Sequence, residues 1–130
     1  MTPSVEHVAW QVEDPPAVAD WYGRHFGFRI VRRNDDPAKT HFLADASGKV
    51  IVEIYNNPAA TVLDYRTMHP LQLHMAFAVE DVKASRDALL KAGCTLAEDY
   101  RVTPAGDQMA MLKDPWGFAV QLVKRAKAMG

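Results

Sequence analysis

The sequence predicts an α+β fold in which one strand–helix–strand–strand–strand unit occurs twice. The first observation is an internal repeat, because HVAWQVED at 7–14 returns as HMAFAVED at 74–81, 67 residues later. The second is that each octet is followed by a stretch with helical periodicity and then by a glycine. The third is that three extended runs, separated by turn-forming residues, complete each half.

Each predicted helix has a recognisable start and end. PPAVADWYGRHF at 15–26 has apolar residues at helical spacing and prolines where a first turn tolerates them. DVKASRDALLKA at 81–92 has the same periodicity, and Asp81 is suited to cap its first turn. Gly27 and Gly93 then mark the two ends, since glycine readily adopts the left-handed conformation that closes a helix.

Each half also contains four predicted strands, the first of which carries the repeated octet. Their expected bounds are 5–12, 28–33, 40–45 and 50–56 in the first half, and 72–79, 95–102, 108–113 and 118–124 in the second. The turn sequences ASGK, PAGD and DPWG separate successive runs. We therefore divide a single domain of residues 1–130 into module one (1–56), a connector (57–71) and module two (72–130).

Composition excludes several classes of protein. The chain is 48% hydrophobic and 24% charged, which is typical of a globular domain, and its net charge of −1 offers no attraction for nucleic acid. No apolar run is long enough to span a membrane. The single cysteine, Cys94, excludes an internal disulfide, favours a cytoplasmic location and is expected to be a packed residue. No nucleophile triad order, glycine-rich phosphate loop or CxxC motif is present.

Strand alternation places four polar side chains on one kind of face. The apolar positions of the first and last strand of each half should face the helix, which leaves His7 and Glu53, and His74 and Gln121, facing away. A carboxylate within an apolar strand is costly to bury unless it binds something. Two imidazoles, a carboxylate and an amide oxygen suit one divalent ion among Zn, Ni, Co, Mn and Fe.

These motifs, together with DWYGRHFGF, VEIYNNP and DPWGFAVQLV, resemble the vicinal oxygen chelate superfamily over nearly the whole chain. That superfamily includes glyoxalase I, methylmalonyl-CoA epimerase, extradiol dioxygenases, and the fosfomycin and bleomycin resistance proteins. The resemblance implies two tandem βαβββ modules whose curled mixed sheets surround a cavity. It also implies metal ligands on the first and last strand of each module, at His7, Glu53, His74 and Gln121.

One position departs from the family pattern and decides the predicted mechanism. Glyoxalase-like and epimerase-like members usually carry a glutamate where this chain has Gln121, and an amide cannot accept a proton at neutral pH. Because the modules are equivalent, we predict that Glu53 is the catalytic base as well as a ligand. The expected function is a metal-dependent isomerase or lyase that removes a proton next to a carbonyl of a small-molecule substrate, with the metal chelating the enediolate.

Two other functions stay open at this point. An extradiol-type dioxygenase would hold Fe(II) with His7, Glu53 and His74, although Gln121 would fill a position that oxygen chemistry prefers open. A non-enzymatic protein of the drug-resistance type would sequester a small molecule and need no metal.

Other residues are assigned to the rim of the site or outside it. We expect Gln11 and Tyr55 to line the substrate cavity. His41 is excluded if the turn around ASGK has an even number of loop residues, and His25 and His69 are assigned to the surface.

The predicted assembly is a homodimer with shared sites. His7 and Glu53 of one chain would meet His74 and Gln121 of the other, as the family's small members suggest. The connector is long enough to permit a site within one chain instead.

Overall fold

Each half of the chain forms one four-stranded sheet and one long helix, as the repeat predicts. The computed structural model describes all residues from 1 to 130 and divides them into two units, Met1–Leu63 and Asp64–Gly130. The elements in chain order are β1 (Val8–Gln11), α1 (Pro15–Phe26), β2 (Arg29–Asn34), β3 (Thr40–Ala44), β4 (Ile51–Tyr55), a 3-10 turn (Tyr65–Thr67), β5 (Met75–Ala78), α2 (Val82–Lys91), β6 (Thr95–Val102), β7 (Gln108–Lys113) and β8 (Ala119–Lys124). The prediction of an α+β fold built from two βαβββ modules is confirmed.

The two sheets have the same topology and the same register. Strand order is β1-β4-β3-β2 in the first and β5-β8-β7-β6 in the second. The first and last strands of each module run parallel, with Ala9 opposite Glu53 and Ala76 opposite Gln121, and the other pairs are antiparallel. Each module therefore presents its polar residue at the equivalent point of a mixed sheet.

The helix ends follow from local sequence. The Asp14 carboxylate accepts a hydrogen bond from the Ala17 amide at 3.3 Å, and Gly27 ends α1 with a φ of 71°. The Asp81 carboxylate accepts from the Ala84 amide at 2.9 Å and so caps α2, as predicted. Neither helix is both long and apolar enough to cross a membrane.

The core of each module lies between its helix and three of its strands. Helix α1 packs on β2, β3 and β4, and α2 packs on β6, β7 and β8. The principal buried side chains are Val18, Trp21, Tyr22, Leu43, Val52 and Ile54 in module one, and Val82, Leu89, Leu112, Phe118, Val120 and Leu122 in module two. Burying each large apolar side chain contributes roughly 1.5–3 kcal/mol to stability.

Strands β1 and β5 lie at the sheet edges, where the helices give little cover. Val8 pairs with buried Val52 and therefore lies on the expected helix-facing side, yet it is 56% exposed. Leu73, assigned by alternation to the same side in module two, is also exposed. Alternation identified the face of these residues but not their burial, because a strand at an edge extends beyond the helix.

The connector is held by side chains at both ends. The Gln11 amide nitrogen donates to the Ala60 carbonyl at 2.6 Å, which fixes the segment after β4. The Lys113 ammonium donates to the carbonyls of Tyr65, Arg66 and Met68 at 2.8–2.9 Å, which fixes the 3-10 turn on module two. Gly117 lies so close to this turn that a Cβ there would come within 2.8 Å of the Arg66 main chain.

Candidate functional site

The clearest polar pair of module one is formed by His7 and Glu53. His7 directly precedes β1, and Glu53 is the central residue of β4. The His7 Nε2 atom is 3.3 Å from the Glu53 Oε1 atom, and both side chains are half-buried. The strand register explains why these two side chains are close. Glu53 pairs with Ala9, and His7, two positions before Ala9, points to the same side of the sheet.

The second ring nitrogen of each predicted histidine ligand is already bonded to an oxygen. His7 Nδ1 is 2.8 Å from a Glu6 carboxylate oxygen, and His74 Nδ1 is 2.9 Å from the Pro70 carbonyl oxygen. A carbonyl or an ionised carboxylate can only accept, so Nδ1 must be the donor in both rings. The Nε2 lone pair of a neutral ring is then left for another partner, which is the arrangement of a metal-bound histidine.

The spacing of the pair fits a shared metal ion. Nitrogen and oxygen ligands about 2.1 Å from one ion lie about 3.0 Å apart at an octahedral angle and about 3.4 Å apart at a tetrahedral angle. The observed 3.3 Å between His7 Nε2 and Glu53 Oε1 falls in this interval. The same distance also suits a direct imidazolium–carboxylate pair, so an experiment must separate the two.

The equivalent positions of module two are His74 and Gln121. Gln121 is half-buried in β8, and its amide nitrogen makes a weak contact of 3.9 Å with the Met109 sulfur. His74 precedes β5 by one residue and stands two positions before Ala76, the register partner of Gln121. The four predicted ligands thus occur as one pair in each unit, and no three His, Cys, Asp or Glu side chains form a cluster.

The remaining histidines lie where the sequence placed them. His41 pairs with Ile54 on the helix-facing side, is 2% exposed, and has Nδ1 2.7 Å from the Lys39 carbonyl oxygen. His25 is on the exposed surface of α1 against Trp21, and His69 Nδ1 accepts from the Leu71 amide. The exclusion of His41, which depended on the turn length, is confirmed by the register.

Phe42 lies on the same sheet face as Glu53. It pairs with Glu53 across the sheet, and its ring meets His7 edge to face with centroids 5.5 Å apart. Met111 pairs with Gln121 at the equivalent place in module two. An even number of loop residues in the turn around ASGK, which puts His41 on the helix-facing side, also puts its neighbour Phe42 opposite Glu53.

The two residues expected to line the cavity differ in their surroundings. Gln11 is 8% exposed, and its amide group binds the Ala60 carbonyl and the Asn57 amide. Tyr55 is half-buried and lies two positions after Glu53, on the same side of β4. Gln11 therefore has a structural task in module one, and the lining role of both residues stays a prediction.

Cys94 is packed, as expected. Its side chain is buried, and burial, with a smaller contribution from the charge of Asp114, raises the pKa of the thiol to about 12. A thiol held in its neutral form is a poor nucleophile, which agrees with a role in packing.

This repeated architecture, with a histidine directly before the first strand and a polar residue on the last strand of each module, defines a class of proteins. The chain belongs to the Glyoxalase/Bleomycin resistance protein/Dioxygenase superfamily, whose profile matches residues 4–122. This is the vicinal oxygen chelate superfamily, so the resemblance noted from the motifs is confirmed.

Among individual relatives, the chain is similar to a probable lactoylglutathione lyase of Vibrio parahaemolyticus, with 26% identity covering 94% of this chain and 91% of the relative. It is 27% identical to lactoylglutathione lyase GLX1 of Arabidopsis thaliana over 92% of this chain but only 43% of that protein. The chain thus spans nearly the whole bacterial relative and less than half of the plant one. A glyoxalase family protein from Bacillus cereus shares the fold, with a TM-score of 0.79, 15% identity and coverage of 98% and 97% of the two chains.

Proposed function

We propose that this protein is a metal-dependent lyase or isomerase that moves a proton on a carbon next to a carbonyl group. The observation that carries the proposal is the 3.3 Å approach of His7 Nε2 to Glu53 Oε1, with Nδ1 of both His7 and His74 donating elsewhere. The similarity to the Vibrio and Arabidopsis lactoylglutathione lyases supports the lyase branch of the superfamily.

The residues that would hold the ion are His7, Glu53, His74 and Gln121. Their mixed nitrogen and oxygen set suits Zn, Ni, Co, Mn or Fe better than Ca or Mg. When bound, such an ion would polarise the substrate carbonyl and stabilise the negative charge that develops on its oxygen.

Glu53 is the residue that would accept the proton. It is the only carboxylate among the four proposed ligands, and its side chain is partly buried against His7 and in register with Phe42. Partial burial limits the water that competes for the carboxylate oxygens. Gln121 would bind through its amide oxygen and take no part in proton transfer, since an amide has no basic lone pair at neutral pH.

A homodimer with shared sites is the assembly that we propose. Strands β1 and β5 each form one edge of their sheets, and exposed edges of this kind tend to pair with another strand. Each unit carries one pair of the proposed ligands, so a complete set needs one module of each type. The partner module would come from a second copy of the chain.

Metal analysis of purified variants tests the proposed site. We expect close to one divalent ion per chain in the wild type, and strong loss in His7→Ala and in His74→Ala, because each change removes one nitrogen ligand. His25→Ala, which alters an exposed histidine on α1, is the matched control and should keep the ion.

Two results would contradict the proposal. If the His7→Ala, His74→Ala double variant keeps a full complement of metal, these residues are not its ligands. If the wild type takes up no metal from a buffer that contains zinc, nickel, cobalt, manganese or ferrous iron, then His7 and Glu53 form a simple ion pair.

A further inference from the structure

A cavity of about 500 Å³ opens on module two along the face that carries Gln121. It begins at Ala76, the register partner of Gln121, and continues past Ala78 and Val123, which pair with each other. The chain after β8 closes its far end with Arg125 and Met129. All of these residues belong to the unit Asp64–Gly130.

The equivalent place in module one is filled. Gln11 stands two positions after Ala9, as Ala78 stands two positions after Ala76, so the two residues occupy corresponding sites. Gln11 reaches the main chain that follows β4 and binds Asn57 and Ala60. The methyl group of Ala78 cannot reach the segment after β8 in this way, and the space stays open.

A second difference enlarges the same space. The register partner of Gln11 is Tyr55, whereas the partner of Ala78 is the smaller Val123. Alanine and valine at these positions make this part of the cavity apolar and leave room for an aliphatic chain beside the sheet. Two small side chains therefore widen the cavity at positions that module one occupies with larger ones.

Charged groups lie at the far end of the cavity. Lys124 and Arg125 are cationic and Glu80 is acidic. The Nη1 atom of Arg125 donates to the Asp107 carboxylate at 3.1 Å, whereas its Nε atom is buried without a hydrogen-bond partner. Buried donors without partners are rare in folded proteins. The edge of a guanidinium formed by Nε and Nη2 matches the two oxygens of a carboxylate.

We propose that this cavity binds the distal part of the substrate, an apolar chain that ends in a carboxylate recognised by Arg125. The assignment to substrate rests on the proposed function, in which the reacting end lies at Gln121. Gln121 and Arg125 are four residues apart along an extended chain, or about 13 Å. The substrate would thus be an amphiphilic carbonyl compound whose two polar ends are separated by a chain of medium length.

Binding of octanoate to the full-length chain, measured by calorimetry against neutral octanamide, tests the inference. Octanoate should bind roughly tenfold more tightly than octanamide, since only octanoate presents the anion to Arg125. Arg125→Gln should remove this preference without altering octanamide binding. Ala78→Gln should weaken binding of both probes, because the longer side chain enters the cavity where it passes between Ala78 and Val123.

Three controls keep the result specific. Ala97→Gln makes the same substitution at an exposed position of β6 and should bind both probes like the wild type. Val123→Tyr introduces the residue that module one has at this position, Tyr55, and narrows the cavity from the other strand. This variant replaces Ala78→Gln in the experiment if Ala78→Gln folds poorly. The His7→Ala, His74→Ala double variant removes the proposed metal site and should still prefer octanoate.

The outcomes separate this inference from the proposed function. Equal binding of octanoate and octanamide, or no binding by the wild type, overturns the cavity assignment while leaving the metal analysis untouched. If octanoate binding disappears in the histidine double variant and persists in Arg125→Gln, the carboxylate is bound at the metal ligands and the inference is wrong. If instead the cavity binds octanoate but histidine removal leaves metal content unchanged, the proposed function fails and an anion-binding cavity stands.

Discussion

Modules one and two have the same strand order and the same register, yet they differ at two corresponding positions. Where module one has Glu53 opposite Ala9, module two has Gln121 opposite Ala76. Where module one fills its sheet face with Gln11, module two has Ala78 and an open cavity. Under the proposed function, one module would supply the proton acceptor and the other would supply space for the substrate.

The largest expected effect comes from replacing Glu53 by glutamine, the residue that module two has at the corresponding position. Glu53→Gln should lower any proton-transfer activity by about 10³-fold, since removing a general base typically costs 10²–10⁴-fold. Metal content should be kept, because the amide oxygen can still coordinate. Steady-state assays with 2-oxoaldehyde adducts and branched thioesters, together with metal analysis, measure both quantities.

Glu13→Gln makes the same change at an exposed residue of module one and should retain activity. Unchanged turnover in Glu53→Gln would mean that Glu53 is a ligand only.

Mixing two inactive variants tests whether each metal site is formed by module one of one chain and module two of another. In a heterodimer of His7→Ala and His74→Ala chains, one shared site keeps all four ligands and the other loses two. Random subunit exchange should therefore restore about one quarter of the wild-type metal content, since half of the dimers are mixed and each holds one intact site. Metal analysis after exchange, with heterodimer formation followed by mass spectrometry, gives the measurement. No recovery in a mixture that demonstrably exchanges would place each site within one chain.

Gln11→Ala gives module one the residue that module two has at the corresponding position, Ala78. The Asn57 amide and the Ala60 carbonyl would lose their side-chain partner, which should reduce the free energy of unfolding by about 0.5–1.5 kcal/mol, because both hydrogen bonds are only part-buried. Urea denaturation monitored by circular dichroism measures the change. Gln72→Ala, which removes an exposed glutamine that accepts from the His69 amide, is the matched control and should cost less. Equal costs for the two variants would show that the Gln11 contacts do not stabilise the module.

The smallest expected effect comes from giving module two the carboxylate of module one. Gln121→Glu should raise any lyase turnover by roughly tenfold or less. The new carboxylate would add a second base to the proposed site, and its oxygen could still coordinate the metal as the amide oxygen of Gln121 would. A paired assay of the single variant and of Gln121→Glu combined with Glu53→Gln shows which carboxylate is used. If the double variant is as active as Gln121→Glu alone, the role of base has passed wholly to module two.

The fold could be predicted because its determinants are local and occur twice. Asp81 and Gly27 mark helix ends within a few residues of sequence, and strand alternation assigns His7 and Glu53 to one face without knowledge of the tertiary structure. Even the side of His41 followed from a turn length.

The features that escaped prediction depend on residues distant in sequence. The hydrogen bonds of Gln11 reach a segment 46 and 49 residues away, and no local pattern reveals them. The exposure of Val8 depends on how far α1 extends over the sheet, and the cavity beside Ala78 depends on the path of the chain after β8. Periodicity indicates the side to which a residue points, whereas packing decides what it meets there.

The buried thiol of Cys94 has a practical consequence for labelling the protein. With a pKa of about 12, it is almost entirely protonated at pH 8, whereas an exposed thiol near its usual value is about one quarter thiolate. A maleimide reagent should thus react far faster with a cysteine introduced at the surface than with Cys94, whose thiol is both buried and protonated. The native chain can therefore carry a pair of spectroscopic labels, one on each module, without first removing its own cysteine.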